Sequence, residues 1–221
     1  MTKTPFKFLL LLSAALIIGT GCVLAQSITT ILDKPVNGTV TLVPALPADG
    51  KYPAGTLVTV TAKPDPGFVL DAVYYSDKGQ WGQMYFESMM PSFKVLIDHE
   101  KHIGASFIDK SVVADINVTQ DVIYAKPGVK QLKYDVYSPK EAKNLPCIII
   151  IHGGGWTTNT EDIMRGLARE LTKDGKFVVF SIDYRWAKKF DGDATNNSMI
   201  DIADDVFGAI AHIMEHAKEY G

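Results

Sequence analysis

Residues 146–156 read PCIIIIHGGGW, an unbroken apolar run followed by a histidine, three glycines and a tryptophan. A run with no polar position is typical of a strand that is covered on both faces, as in the centre of a parallel sheet. Glycines directly after such a strand allow the chain to turn sharply, because they have no Cβ. The stretch therefore predicts a buried central strand that ends in a tight loop.

On the C-terminal side of this stretch, helical and strand patterns alternate. Apolar residues recur at helical spacing over 163–171, with Thr160 as the N-cap and Gly175 as the stop. A second apolar run covers 177–182, and an amphipathic helical pattern follows over 202–217. This order of strand, helix, strand and helix predicts an α/β fold with a parallel sheet.

The N-terminal side has a different pattern. Segments such as 39–43 and 56–61 alternate apolar and β-branched polar residues and are separated by prolines and glycines, without a helical period. Residues 27–109 are therefore predicted to form a small all-β module. The hydrophilic residues 110–121 are predicted to form a linker between this module and the α/β part.

The spacing of glycines, prolines and threonines over 37–68 resembles bacterial surface repeats of the internalin B-repeat type. This resemblance implies a compact spacer or binding module without chemistry of its own. Aromatic residues of the module are expected to form its core and rim, with an exposed platform for sugar rings as the alternative: Tyr74, Tyr75, Trp81, Tyr85 and Phe86.

The HGGGW element at 152–156, placed after a buried strand, resembles the oxyanion loop of esterases and lipases with the α/β-hydrolase fold. The segment Asp183-Tyr184-Arg185 resembles its counterpart in hormone-sensitive-lipase-like esterases. The resemblance implies that residues 122–221 form the N-terminal half of an α/β-hydrolase sheet. It also implies carboxylic ester hydrolysis by serine acyl transfer, with no metal or organic cofactor.

By the same resemblance, the backbone N–H groups of Gly153 and Gly154 would stabilise a tetrahedral oxyanion. His152, Gly155 and Trp156 would line the substrate site, with His152 bracing the loop rather than acting as a base. The expected substrate is a small ester or an acylated polysaccharide.

No G-x-S-x-G nucleophile motif occurs in the 221 residues. The nearest segment, 104–108, lacks the second glycine and lies in the β module. Because an oxyanion loop without a nucleophile cannot form an acyl-enzyme, we expect this sequence alone to be an inactive fragment of a longer esterase. A half sheet would also leave its edge strand unpaired.

The first 25 residues predict a secretory signal peptide, with Lys3 and Lys7 before the apolar run 8–18. The protein is therefore expected to be secreted or periplasmic. The alternative is a lipoprotein, because residues 19–22 resemble a lipobox, and lipidation at Cys22 would then be its only attachment to a membrane. The net charge of −3 and the lack of a basic cluster argue against nucleic acid as a partner.

Two further hypotheses compete with ester hydrolysis. Residues 212–216 match the H-x-x-E-H signature of a zinc peptidase. A helical wheel places His212 and His216 beside Asp201 and Asp205 on a solvated face, which does not suit a catalytic zinc site. The second alternative is a non-catalytic surface or carbohydrate-binding protein.

Two smaller sequence features predict structure rather than chemistry. Asp191-Gly192-Asp193 is interpreted as a polar turn rather than a calcium site, because the remaining ligands of a calcium loop are missing. Cys147, inside the apolar run, is expected to be buried.

Overall fold

The computed structural model describes residues 26–79, 82–187 and 197–221. The predictions for residues 1–25, including Cys22, and those for Trp81 and 191–193 lie outside these ranges. No helix in the described ranges is long and apolar enough to cross a membrane.

The N-terminal module consists of two sheets that share one core. One sheet has the order β3-β1-β8-β5-β6 and the other the order β2-β4-β7. Both sheets contribute to the apolar interior, where the side chains of Val58, Val60, Ile97 and Ile103 are completely buried. The strands are β1 (Ser27–Leu32), β2 (Gly38–Val43), β3 (Lys51–Pro53), β4 (Thr56–Pro64), β5 (Phe68–Gly79), β6 (Gly82–Ser88), β7 (Ser92–Ile97) and β8 (Lys101–Asp109).

One strand of the module is longer than its sequence pattern. The patterns at 68–70 and 72–75 predict separate short strands, but both belong to β5, whose pairing with β8 shifts register between Leu70 and Ala72. The shift interrupts the alternation of side chains, which explains why the two halves look separate in the sequence.

The C-terminal half contains a four-stranded sheet with the order β11-β12-β10-β9. Helix α1 follows a 3₁₀ turn at Glu161–Met164 and is therefore shorter than its sequence pattern. The elements are β9 (Ile116–Ala125), β10 (Leu132–Pro139), β11 (Cys147–Ile151), α1 (Arg165–Thr172), β12 (Val178–Ile182) and α2 (Met199–His216), with further 3₁₀ turns at Lys110–Val113 and Ala217–Glu219.

The predicted linker is too long. Strand β9 begins at Ile116 and pairs with β10, so that only residues 110–115, with one 3₁₀ turn, lie between the module and the sheet. Strand β9 lies at the edge of the sheet and exposes half of its residues. An edge strand can carry polar residues at most positions, and for this reason the segment looked like a linker.

The parallel pairing predicted for the two apolar strands is confirmed, whereas the predicted central position of residues 147–151 needs correction. Within this sheet, β11 and β12 are parallel, and β10 is antiparallel to both of its neighbours. Strand β11 lies at an edge, where Cys147 is exposed rather than buried and Ile151 is 52% exposed. The strand that is buried along its whole length is β12.

Helix α2 begins at a capping box formed by Ser198 and Asp201. Its buried face contains Ile202, Ala209 and Ile213, as the apolar pattern predicts, but also Asp205. The prediction that Asp205 belongs to a solvated face is therefore wrong. The reason is a partner outside the helix, Arg185, which neutralises the buried carboxylate.

The β module packs directly against the C-terminal sheet. Met89, which follows β6, lies in one apolar cluster with Tyr137, Ala168 and Val179. At the same interface, the Asp71 carboxylate accepts hydrogen bonds from Arg165 and Arg169 of α1. The module and the sheet thus share a core and are not separate bodies on a flexible tether.

Candidate functional site

The glycine loop, residues 152–159, follows directly from β11. The chain turns through positive φ values at Gly154 (+125°), Gly155 (+60°) and Trp156 (+59°). A Cβ on Gly154 would lie 2.4 Å from the carbonyl oxygen of Thr158, so no other residue fits this position without movement of the backbone. A Cβ on Gly153 or Gly155 would meet no atom within 4 Å.

The loop is held through its carbonyl oxygens. The oxygen of Gly153 accepts hydrogen bonds from Nδ2 of Asn159 (3.1 Å) and from Nδ1 of His152 (2.7 Å), and that of Gly154 accepts from the N–H of Thr157 (3.2 Å). By contrast, no acceptor in the described part of the chain receives the N–H of Gly153 or of Gly154. Two backbone donors at the end of a strand are therefore available to a ligand.

His152 is completely buried at the base of the loop. A carbonyl oxygen can only accept, so its bond to Gly153 requires the proton of His152 to be on Nδ1. The imidazole ring stacks on Tyr184 with a centroid distance of 4.3 Å, and the Tyr184 hydroxyl donates to the carbonyl oxygen of His152 at 2.8 Å. Nε2 lies 3.6 Å from Oδ1 of Asp183 and has no hydrogen-bond partner among the described residues. These contacts join the start of the loop to the end of β12.

Each residue of the Asp183-Tyr184-Arg185 segment has a structural contact. Asp183 pairs with Nζ of Lys130 at 3.1 Å, and Tyr184 bonds to the loop as described. Arg185 binds the buried carboxylate of Asp205 through Nε (2.8 Å) and Nη2 (2.9 Å), and its backbone N–H donates to the same carboxylate at 3.0 Å. The segment therefore connects the glycine loop, β12 and α2.

The far end of the loop is joined to the residues after β12. Trp186 donates its indole N–H to the carbonyl oxygen of Asn159 at 2.9 Å, and Lys130 Nζ lies 4.7 Å from the centre of a Trp186 ring. The carbonyl oxygen of Trp156 accepts the N–H of Ala187 at 2.7 Å, while the whole Trp156 residue is 53% exposed. No sequence signal links Lys130 to this loop, and none indicates the contacts that Asn159 makes within it.

Three carboxyl groups that the sequence analysis did not identify lie between the sheet and the 3₁₀ turn before α1. Burial, together with the charge of Asp162, raises the pKa of Asp135 to about 7. Burial raises the pKa of Asp162 to about 6 and that of Glu161 well above its ordinary value, in the latter case with a further contribution from the charge of Asp183. Oδ1 of Asp135 accepts the N–H of Asp121 at 2.9 Å, whereas its buried Oδ2 has no partner in the described chain.

The two histidines of the H-x-x-E-H signature do not form a metal site with a third ligand. Nδ1 of His212 is hydrogen-bonded to the Tyr134 hydroxyl at 3.0 Å, and Nδ1 of His216 donates to the carbonyl oxygen of His212 at 2.8 Å. Within the described residues, no group of three His, Cys, Asp or Glu side chains is placed to hold a metal ion. The predicted solvated face is also incorrect for these residues, because both are half-buried.

Asp71, at the register shift of β5, is the main polar contact between the module and α1. Arg165 binds it through Nε (3.1 Å) and Nη2 (3.0 Å), and Arg169 Nη1 also donates to it. Arg165 forms a second ion pair with Glu87 of β6. Burial alone would raise the pKa of Asp71, but the hydrogen bonds and charges of the two arginines outweigh it and lower the pKa to about 2.

Comparison with known proteins finds similar sequences among ester hydrolases. Residues 134–221 match the BD-FAE family model. The chain is 25% identical to the carboxylic ester hydrolase LipN of Mycobacterium tuberculosis over 183 residues, which are 75% of this chain and 46% of LipN. It is 30% identical to the carboxylesterase NlhH of the same organism over 95 residues, which are 42% of this chain and 28% of NlhH.

Among solved structures, esterase B from Lactobacillus rhamnosis has 22% identity and a TM-score of 0.41, with 51% of this chain and 36% of the esterase covered. The chain thus spans less than half the length of the curated relatives that it matches. The C-terminal half of this chain is therefore similar to a segment of carboxylic ester hydrolases.

Proposed function

We propose that this sequence is part of an exported carboxylic ester hydrolase in which the glycine loop stabilises the oxyanion. The N–H groups of Gly153 and Gly154 would donate to the negative oxygen that forms when a nucleophile attacks the ester carbonyl. Since the 221 residues contain no G-x-S-x-G, the nucleophilic serine would come from polypeptide outside them.

The proposal is supported above all by the two unsatisfied N–H groups of the loop. These two donors have no acceptor in the described part of the chain, while the carbonyl oxygens beside them are bonded. Contacts from His152, Asn159 and Tyr184 hold the loop in this conformation. Donors that are fixed in advance stabilise a developing charge without reorganisation.

The substrate would be a small ester or an acyl group on a polysaccharide outside the cytoplasm. Gly153 is exposed and Gly154 is half-buried, so an ester can approach the donors from solvent. His152 has no route to the reacting carbon, because it is enclosed and engaged with the loop, and it would contribute only to the position of the donors.

The experiment is hydrolysis of p-nitrophenyl acetate by the protein expressed from its full natural reading frame. Gly154→Ala should lower kcat/KM by about 100-fold or more, the effect of losing one oxyanion donor, because the new Cβ displaces the loop. The control is Gly166→Ala on α1, where a Cβ meets nothing within 4 Å and activity should not change.

Full activity of Gly154→Ala would contradict the role of the loop. Equal turnover by residues 1–221 expressed alone would contradict the prediction that the nucleophile lies outside them. Circular dichroism of each variant separates a displaced loop from a loss of folding.

A further inference from the structure

A narrow cleft lies between the β module and the glycine loop. Phe86 and Glu87 of β6 form one side, and Asn159, Thr160, Ile163 and Trp186 form the other. The cleft encloses about 20 Å³, slightly more than a single water molecule requires. The module therefore closes one side of the region beside the loop.

One residue connects this cleft to the two free N–H donors. Asn159 lines the cleft, and its side chain donates to the carbonyl oxygen of Gly153 at 3.1 Å. Its own carbonyl oxygen accepts the indole N–H of Trp186 at 2.9 Å, which fixes the wall opposite Phe86. A group attached to an ester carbonyl at the loop would be next to this cleft.

The module side of the cleft is held firmly. Phe86 packs against Tyr75 and Phe93, with ring centroids 5.1 and 5.3 Å apart. Glu87 is paired with Arg165, which also binds Asp71 through two nitrogens. Widening the cleft would thus require either rotation of Phe86 out of an aromatic cluster or separation of buried ion pairs.

We propose that Phe86 and Glu87 form a wall of the ester-binding site and limit the size of the group that can lie beside the glycine loop. The β module is then a selectivity element of the hydrolase rather than a spacer. This inference rests on the proposed ester hydrolase function and goes beyond it, because the residues concerned belong to the β module.

The first test compares p-nitrophenyl acetate with p-nitrophenyl octanoate as substrates of the natural full-length protein. Phe86→Ala should raise the octanoate-to-acetate ratio of kcat/KM by about 10-fold or more, as expected when a steric contact in an apolar pocket is removed. Phe68→Ala is the matched control, since Phe68 at the start of β5 lines neither the cleft nor the aromatic cluster around Phe86, and it should leave the ratio unchanged. An unchanged ratio in Phe86→Ala would overturn the inference.

The second test does not depend on catalysis. The indole N–H signal of Trp186 in residues 1–221 is followed by NMR during titration with the non-hydrolysable ketone analogue of p-nitrophenyl butyrate. The signal should shift on binding, and the apparent Kd should change at least threefold in Phe86→Ala but not in Phe68→Ala. Phe86→Leu, which keeps most of the packing, serves if the alanine variant does not fold.

The two tests distinguish the two proposals. Absence of hydrolysis together with a Trp186 shift that depends on Phe86 would refute the ester hydrolase but support the wall. Hydrolysis that depends on Gly154, with neither ester preference nor the Trp186 shift affected by Phe86, would refute the wall alone. A Trp186 signal that does not respond to the ketone would also count against the wall.

Discussion

The β module and the C-terminal sheet differ in how completely they cover their apolar residues. In the module, two sheets face each other and completely bury residues such as Val58 and Ile103. In the C-terminal half, β12 is fully buried, yet Ile151 at the end of β11 is 52% exposed. On α2, Phe207 is 69% exposed and Met214 is 74% exposed.

This difference shows that the β module has a core of its own, whereas the C-terminal sheet is partly covered by residues of the module. On the α1 side, Met89 of the module completes the cluster around Tyr137 and Val179. On the edge formed by β11, no described element supplies cover. We expect stability to be distributed accordingly, with the interface between module and sheet as the critical region.

The largest effect is expected from Arg165→Met at this interface. The substitution leaves Glu87 unpaired and Asp71 with only Arg169, at a cost of about 2–3 kcal/mol, less than for a completely buried ion pair because these side chains are 12–16% exposed. The temperature of thermal unfolding should fall accordingly. The control is Lys173→Met, which removes an exposed ion pair with Glu170 and should not change the unfolding temperature measurably. Equal unfolding temperatures for the two variants would show that the interface does not contribute.

Acid unfolding sharpens the same prediction. Because the folded pKa of Asp71 is lowered to about 2, its stabilising contribution is present above its ordinary pKa and is lost as the pH falls towards 2. In Arg165→Met, the free energy of unfolding should fall less between pH 4 and pH 2 than in the wild type, because Asp71 has lost one of the two arginines that lower its pKa. Denaturant unfolding at these pH values measures the difference.

An intermediate effect, of opposite sign, is expected from Asp135→Asn. Burial raises the pKa of Asp135 to about 7, so the folded state favours the neutral carboxyl group. The stabilisation that this provides is present at low pH and is lost as the pH rises through about 7. At pH 8 the neutral asparagine should therefore be more stable than wild type by roughly 1–3 kcal/mol, with a smaller gain at pH 5. Denaturant unfolding at both pH values measures this, and an equal gain at both would contradict the assignment.

The smallest effect on stability is expected from Ile151→Thr at the uncovered edge. Because the side chain is already half-exposed, the free energy of unfolding should change by less than about 1 kcal/mol, while self-association of residues 1–221 should decrease. Ile182→Thr, at a completely buried position of the neighbouring strand, should cost roughly 2–4 kcal/mol. Denaturant unfolding measures the stability of the two variants, and sedimentation measures their self-association. Together they test whether the two strands are buried as unequally as the exposures of Ile151 and Ile182 indicate.

The sequence by itself determined the local elements. Unbroken or alternating apolar patterns predicted β2, β4, β11 and β12, and helical spacing predicted α1 and α2, because these patterns depend on neighbours within one turn or one strand. A tight glycine turn after the apolar strand was also predicted, but only the structure shows that Gly154, through its contact with Thr158, is the position that excludes a side chain.

Only the tertiary structure decided which apolar strand is covered, because residues 147–151 and 178–182 have equally apolar sequences and differ in their neighbours in the sheet. The tertiary structure also decided the burial of two aspartates. Asp205 is buried because Arg185 pairs with its carboxylate, and Asp135 is buried because β10 lies between β12 and β9. The wall beside the glycine loop depends on contacts such as that of Asp71 with Arg165, 94 residues apart. Local patterns carry no information on such pairs, since the chain brings them together only when the two halves pack.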